Sequence, residues 1–206
     1  METGLYFGSF NPIHNGHLAV ARWICNNTPI DEVRLIISAL NPLKSGSGLL
    51  PGETRLEMAR RALRGVDENI RISAIELSLP LPSYTIDTIR EIRKAEPDNR
   101  FTIIMGEDNL YSLDKWKGLE ELTATCQIYA YPRSGFKKPP RSKTVESLLR
   151  HADITLLKAP LMEVSASDIR RSIAEGRDAS HLLPAEVWSY IRRMNLYRGR
   201  HREDVE

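Results

Sequence analysis

The chain has 206 residues, 41% of them hydrophobic and 27% charged, which suits a globular α/β domain able to bury a core without staples and excludes the disordered class. Lys plus Arg outnumber Asp plus Glu by only 29 to 27, so whole-molecule charge gives no argument for a nucleic-acid or membrane partner. Cys25 and Cys126 are too few and too far apart for a disulfide framework or a metal cluster, and no run of 18 apolar residues or basic-then-apolar leader occurs. The expectation is a cytoplasmic protein with reduced thiols and a single domain over residues 1–206.

In chain order, Leu5, Tyr6 and Phe7 read as a short buried strand. Gly8, Ser9, Asn11 and Pro12 supply turn chemistry, and a helical pattern begins at Gly16 and runs to about Asn26 and Asn27. VRLIIS at 33–38 is a second strand, followed over 39–52 by a Gly/Pro/Ser-rich loop whose one cation is Lys44. That lysine alone fits a solvated surface position as well as a ligand contact. Residues 53–64 place Leu56, Ala59 and Leu63 on one helical face with charges opposite, and IRISAIEL at 70–77 reads as a third strand. Prolines 80 and 82 stop it, and Ser83 or Thr85 can cap a helix carrying Ile86, Ile89 and Ile92. RFTIIMG at 100–106 is a fourth strand, two short helical pieces follow, and QIYAY at 127–131 is a fifth. The Pro-rich basic segment 132–143 reads as an irregular, solvated connection, lacking aromatics for base stacking apart from Phe136. ADITLLK at 152–158 supplies a sixth strand. A helix capped by Ser165 or Ser167 and stopped at Gly176 comes next, then one from Pro184 with Val187, Tyr190, Ile191 and Met194 as its packing face. Residues 201–206 are charged and expected to fray.

Six apolar strands alternating with helices point to a Rossmann-like, doubly wound parallel sheet of about six strands with flanking helices, whose ligands bind beyond the carboxyl ends of the strands. The loop after the first strand, the Lys44 loop, Gly106 to Asp108 and the Ser165 loop all follow strands and converge there. His14 in the first loop and His17 in the first turn of a helix stand where unpaired N–H groups and the helix dipole attract phosphate, with Gly16 leaving room for an approach to the backbone. There is no GxxxxGK(S/T) loop, no GxGxxG fingerprint, no GxSxG elbow and no activated thiolate. Two imidazoles, helix N-termini and cations without a protein nucleophile suit phosphoryl or nucleotidyl transfer, in which a substrate oxygen attacks phosphorus directly.

GSFNPIHNGH resembles the signature of the HxGH nucleotidyltransferases, usually GGTFDPIHxGH, with Asn11 where the family has Asp. SYTIDTIR at 83–90, GEDNLYSLDKW at 106–116 and VSASDIR at 164–170 resemble, in order, the TYTxDTL, GxDxxxxxxxW and ISSTxIR segments of bacterial nicotinate mononucleotide adenylyltransferases. The resemblance implies adenylyl transfer from ATP, with Mg²⁺ bridging the triphosphate, to nicotinate mononucleotide, giving deamido-NAD and pyrophosphate in NAD biosynthesis. It assigns catalysis to His14, His17 and Arg170, and ATP binding to Gly8, Ser9, Phe10, Gly16, Lys44, Gly106, Asp108, Arg133, Ser165 and Ser167. Tyr84, Thr85 and Trp116 would bind the acceptor, although Trp116 by itself fits a core tryptophan equally well. Alternatives sharing the histidine motif are a pantetheine-phosphate adenylyltransferase or a cytidylyltransferase, and from another class a non-catalytic nucleotide-binding module.

Overall fold

The computed structural model describes residues 1–39, 48–65 and 68–198. In chain order the elements are β1 (Glu2–Gly8), α1 (Asn15–Asn27), β2 (Glu32–Ile37), α2 (Gly52–Ala62), β3 (Ile70–Ser73), α3 (Thr85–Ala95), β4 (Arg100–Gly106), α4 (Glu107–Leu110), α5 (Leu119–Thr125), β5 (Gln127–Tyr131), α6 (Lys143–His151), β6 (Ile154–Leu156), α7 (Ala166–Ala174) and α8 (Ala185–Arg193). The strands form one six-stranded sheet in the order β3-β2-β1-β4-β5-β6, with every neighbouring pair parallel. The order reverses between β1 and β4, and that reversal leaves a crevice at the carboxyl ends of the two strands. Gly8 pairs in register with Ile37 and Gly106 with Tyr131, so four strands end at nearly the same level.

Alternation along each strand divides the apolar residues between two cores, because successive side chains of a strand point to opposite faces. Tyr6, Leu35, Ile104 and Tyr129 face Leu18 and Ile24 of α1, Met58 of α2, Ile169 of α7 and Val187 and Ile191 of α8. Leu5, Ile36, Ile103 and Ile128 face Ile86, Ile89 and Ile92 of α3, with Leu110, Leu122 and Val145. Each fully buried Leu or Ile contributes roughly 1.5–3 kcal/mol of transfer free energy, so helices on both faces are required to keep these strands dry.

Several elements differ from the sequence expectation, each for a local reason. The third strand stops at Ser73 and gives way to a 3-10 turn at Ile75–Ser78, which swings Glu76 inward to 3% exposure. The cap of α3 is Tyr84, with no side-chain cap bond; Ser83 instead donates its hydroxyl to Glu76. Between β4 and β5 there are three helical pieces, since a 3-10 turn at Leu113–Lys115 separates α4 from α5. Helix α6, not anticipated, is capped by Ser142, whose Oγ accepts from the Val145 N–H. The sixth strand covers only Ile154–Leu156 on the sheet edge. Met194 does not join the packing face of α8; it is the C-cap and is 51% exposed. On α2, Arg55 is not on the solvent side with the other charges but 1% exposed. Both cysteines are unbridged thiols, Cys126 in the core and Cys25 half-buried. Among the described residues no helix is long and apolar enough to cross a membrane.

Candidate active site

The loop from β1 to α1 is shaped around Phe10. Its backbone adopts φ 44°, a left-handed conformation rare for an aromatic residue, and its ring folds back over Gly8. A Cβ on Gly8 would lie 2.8 Å from that ring, so the closing residue of β1 must be glycine for the loop to fold down. The ring meets Tyr6 and His17 edge-on, at centroid distances of 5.7 and 4.9 Å. Phe10 is therefore a packing support beneath the histidines, with 1% exposure.

His14 is the N-cap of α1 and His17 sits in its first turn; their rings stack 3.6 Å apart at 24°. The His14 backbone N–H donates to His17 Nδ1 at 3.2 Å, so a neutral His17 ring carries its proton on Nε2. His14 is 5% exposed and its Nδ1 is buried with no hydrogen-bond partner. Burial, and next the positive charge of Arg133, lower its pKa to about 4, so the ring is neutral near pH 7. Helix α7 begins at the same place: a Cβ on Gly16 would lie 2.4 Å from Val164 Cγ1 and 3.1 Å from His14 Nδ1. The gap at Gly16 is thus filled by Val164 and the His14 ring rather than left open as expected, and it lets two helix N-termini approach each other. On α7, Ser165 Oγ caps the Asp168 N–H and donates to the Asp168 carboxylate. Arg170 reaches across to donate from Nη1 to the Asn11 carbonyl at 2.8 Å and from Nη2 to Ser167 Oγ at 3.2 Å. The dipoles of α1 and α7 and the Arg170 fork together favour an anion.

Arg133, after β5, pairs with Asp108 at 3.1 Å over the end of β4. Gly106 makes this possible, because a Cβ there would meet Asp108 Oδ1 at 2.4 Å and Arg133 Cδ at 2.7 Å. Asp108 Oδ1 is buried without a partner. Beneath lie the hydroxyls of Tyr6 and Tyr131, 2.8 Å apart, and burial raises the pKa of both. In the basic segment, Lys138 pairs with Glu107 and Arg141 lies over the Tyr111 ring. Lys44 lies outside the described residues.

On the other side of the crevice is a cavity of about 270 Å³ lined by Gly8, Ser9, Glu76, Tyr84, Thr85 and Trp116, among others. All three expected acceptor residues line it, together with two residues of the β1 loop. Trp116 is half-buried and its indole N–H is buried without a partner, although buried Trp N–H groups ordinarily find an acceptor. Lys117 pairs with Asp87 at 2.9 Å and lies 4.4 Å from the Tyr84 ring centroid. Helix α3 starts at Thr85, so its first N–H groups open beside the cavity.

Residues 5–172 match the model of the cytidylyltransferase-like family. The chain is 41% identical over 197 residues to a Christiangramia forsetii protein named probable nicotinate-nucleotide adenylyltransferase, covering 96% of this chain and 98% of the relative. It is 40% identical over 184 residues to a Porphyromonas gingivalis protein of the same name, covering 89% and 90%. The chain belongs to the nicotinate-nucleotide adenylyltransferase family. Its fold is also that of a Plasmodium falciparum nicotinic acid mononucleotide adenylyltransferase complexed with NaAD, with a TM-score of 0.75 at 22% identity over 95% of this chain and 97% of that one.

Two buried charges of this family member escaped the sequence reading. Arg55 donates to the carbonyls of Leu50, Ser9, Ser38 and Ala39 at 2.7–3.2 Å, tying the first two strand-end loops together. Burial pulls its pKa below the ordinary value while Tyr197 and Glu76 oppose the shift. Glu76 accepts from the Ala39 N–H and the hydroxyls of Ser83 and Thr88. The Ser38–Ala39 peptide therefore joins Arg55, beneath the β1 loop, to Glu76 on the cavity side. Arg55 was detectable in principle: Met58, Ala59 and Ala62 are the buried residues three, four and seven positions on, which puts the arginine on the apolar stripe. Glu76 carried no periodic signal.

Proposed function

We propose that this chain transfers the adenylyl group of ATP to nicotinate mononucleotide, giving deamido-NAD and pyrophosphate in NAD biosynthesis. The acceptor's phosphate oxygen attacks the α-phosphorus in line, the bond to the β-phosphate oxygen breaks, and pyrophosphate leaves. An acceptor phosphate is already anionic near neutral pH, so no protein base is needed; the protein contributes position and charge. Mg²⁺ would enter with the substrate as Mg-ATP and would supply positive charge to offset that of the triphosphate. The single observation that carries the reading is the convergence of the stacked His14–His17 pair with the N-termini of α1 and α7 beside a cavity lined by Trp116.

This reading gives each residue a role that the geometry supports. His17, with its proton on Nε2, donates to the α- or β-phosphate as charge builds there. His14, neutral and stacked on it, fixes that ring at the N-terminus of α1. Arg170, Ser165 and Ser167 hold the β- and γ-phosphates, exchanging their present partners for phosphate oxygens. Gly8, Ser9, Gly106 and Asp108 bound the nucleotide, Gly16 lets the two helix N-termini meet beside it, and Arg133 supplies a second cation. Trp116 stacks on the pyridine ring, and the N–H groups at Tyr84 and Thr85 take the nicotinate carboxylate. The test is pyrophosphate release on incubation with Mg-ATP and each of nicotinate mononucleotide, phosphopantetheine and a polyol phosphate. Release with nicotinate mononucleotide is expected; turnover only with another acceptor, or nucleotide binding without release, would overturn the reading.

A further inference from the structure

Asn11 puts both ends of its side-chain amide to use, one as donor and one as acceptor. Its Nδ2 donates to the Gly48 carbonyl at 2.9 Å. Its Oδ1 accepts from the Tyr197 hydroxyl at 2.7 Å and from the Leu50 N–H at 3.4 Å. Its backbone carbonyl takes the Arg170 guanidinium. One residue, 4% exposed, thereby joins the β1 loop to the segment leading into α2, to α7, and to a tyrosine 186 positions downstream. Tyr197 holds a left-handed backbone of φ 63°, strained for a residue with a side chain, just after the 3-10-like end of α8. A strained aromatic residue reaching back to one side-chain oxygen is placed there by the surrounding packing. The Gly48 carbonyl can only accept and the Leu50 N–H can only donate, so they fix the amide orientation, and the Tyr197 hydroxyl adds its proton to the Oδ1 so presented.

We propose that Tyr197, acting through Asn11, is a positioning residue for the ATP side of the site: its hydroxyl holds the amide that ties residues 48–50 to the β1 loop. The inference rests on the reading of that loop as the phosphate site. It predicts an effect on ATP and not on the acceptor, whose cavity is lined by neither Asn11 nor Tyr197.

The test measures the Kd of Mg-ATP by calorimetry, and KM for both substrates, in Tyr197→Phe, Asn11→Asp and the double variant. Tyr197→Phe should weaken ATP about five- to tenfold, the loss of one hydrogen bond that organises a site, with KM for the acceptor changing less than about twofold. Asn11→Asp keeps an acceptor for Tyr197 but sets an oxygen against the Gly48 carbonyl, so it should weaken ATP at least as much. Adding Tyr197→Phe to it should cost little more, because both act through the same tie. Unchanged ATP affinity in Tyr197→Phe, equal shifts for both substrates, or fully additive losses would each overturn the proposal. Failure of the wild-type protein to release pyrophosphate with nicotinate mononucleotide would instead overturn the functional reading, leaving the ATP titrations to judge Tyr197.

Discussion

The two halves of the crevice are built on different plans. On the phosphate side the two arginines and the capping serine already have partners, Arg170 with Asn11 and Ser167, Arg133 with Asp108 and Ser165 with Asp168, although Asp108 Oδ1 still lacks one. On the acceptor side a cavity of about 270 Å³ stands open, and the Trp116 N–H has no partner. A triphosphate is recognised by charge, which can wait in ion pairs that exchange one anionic partner for another. A flat ring is recognised by shape, and shape must be present beforehand. The contrast teaches that ATP should depend on individual donors, and the acceptor on the integrity of a wall.

The sharpest break of that contrast is His17→Ala, which removes the donor without touching the cavity. It should lower kcat by about 10²–10⁴ with little change in acceptor KM, measured by steady-state pyrophosphate release. Next is Arg55→Met, which leaves the Leu50, Ser9, Ser38 and Ala39 carbonyls without their buried donor and loosens both halves at once. Stability should fall by about 3 kcal/mol or more, and Tm by about 6–12 °C, in denaturation experiments.

A third prediction concerns pH. The His14 pKa falls from 6.5 when unfolded to about 4 when folded, so the unfolded chain binds the extra proton first. Its contribution is complete above pH 6.5 and is lost as the pH falls toward 4, up to about 3 kcal/mol. Urea denaturation at pH 7 and pH 4.5 should show a smaller acid loss in His14→Gln than in the native chain; equal losses would mean the ring is not held neutral by burial. The smallest effect belongs to the wall: Trp116→Ala should raise acceptor KM about tenfold with a much smaller change for ATP. Equal shifts in both KM values would erase the distinction between the two halves.

Much of the fold was legible because parallel strands buried on both faces read as apolar runs, and VRLIIS, RFTIIMG and QIYAY are such runs. The Ser165 cap and the Gly176 stop, at φ 72°, were legible for the same kind of reason: each residue type has a local backbone job. The third strand was misread because Ile75 and Leu77 prolong its apolar run, though out of phase with Ile70 and Ile72, while the tertiary demand that Glu76 meet Ala39, Ser83 and Thr88 bends the chain away. The histidine motif marked the loop from β1 to α1, but not that His14 would be nearly enclosed, since stacking between residues three apart depends on how the loop around Phe10 packs over Gly8. The apolar stripe of α2 could show that Arg55 is buried but not which carbonyls it meets, and Tyr197 was silent because its partner is an amide distant in sequence, which no short pattern records.

The most direct test of the account is a crystal structure with nicotinate mononucleotide and a non-hydrolysable ATP analogue. The account predicts phosphate oxygens within hydrogen-bond distance of the His17 ring and the first N–H groups of α7, with the pyridine ring against Trp116. A triphosphate bound away from both helix N-termini, with His17 left facing protein alone, would contradict it.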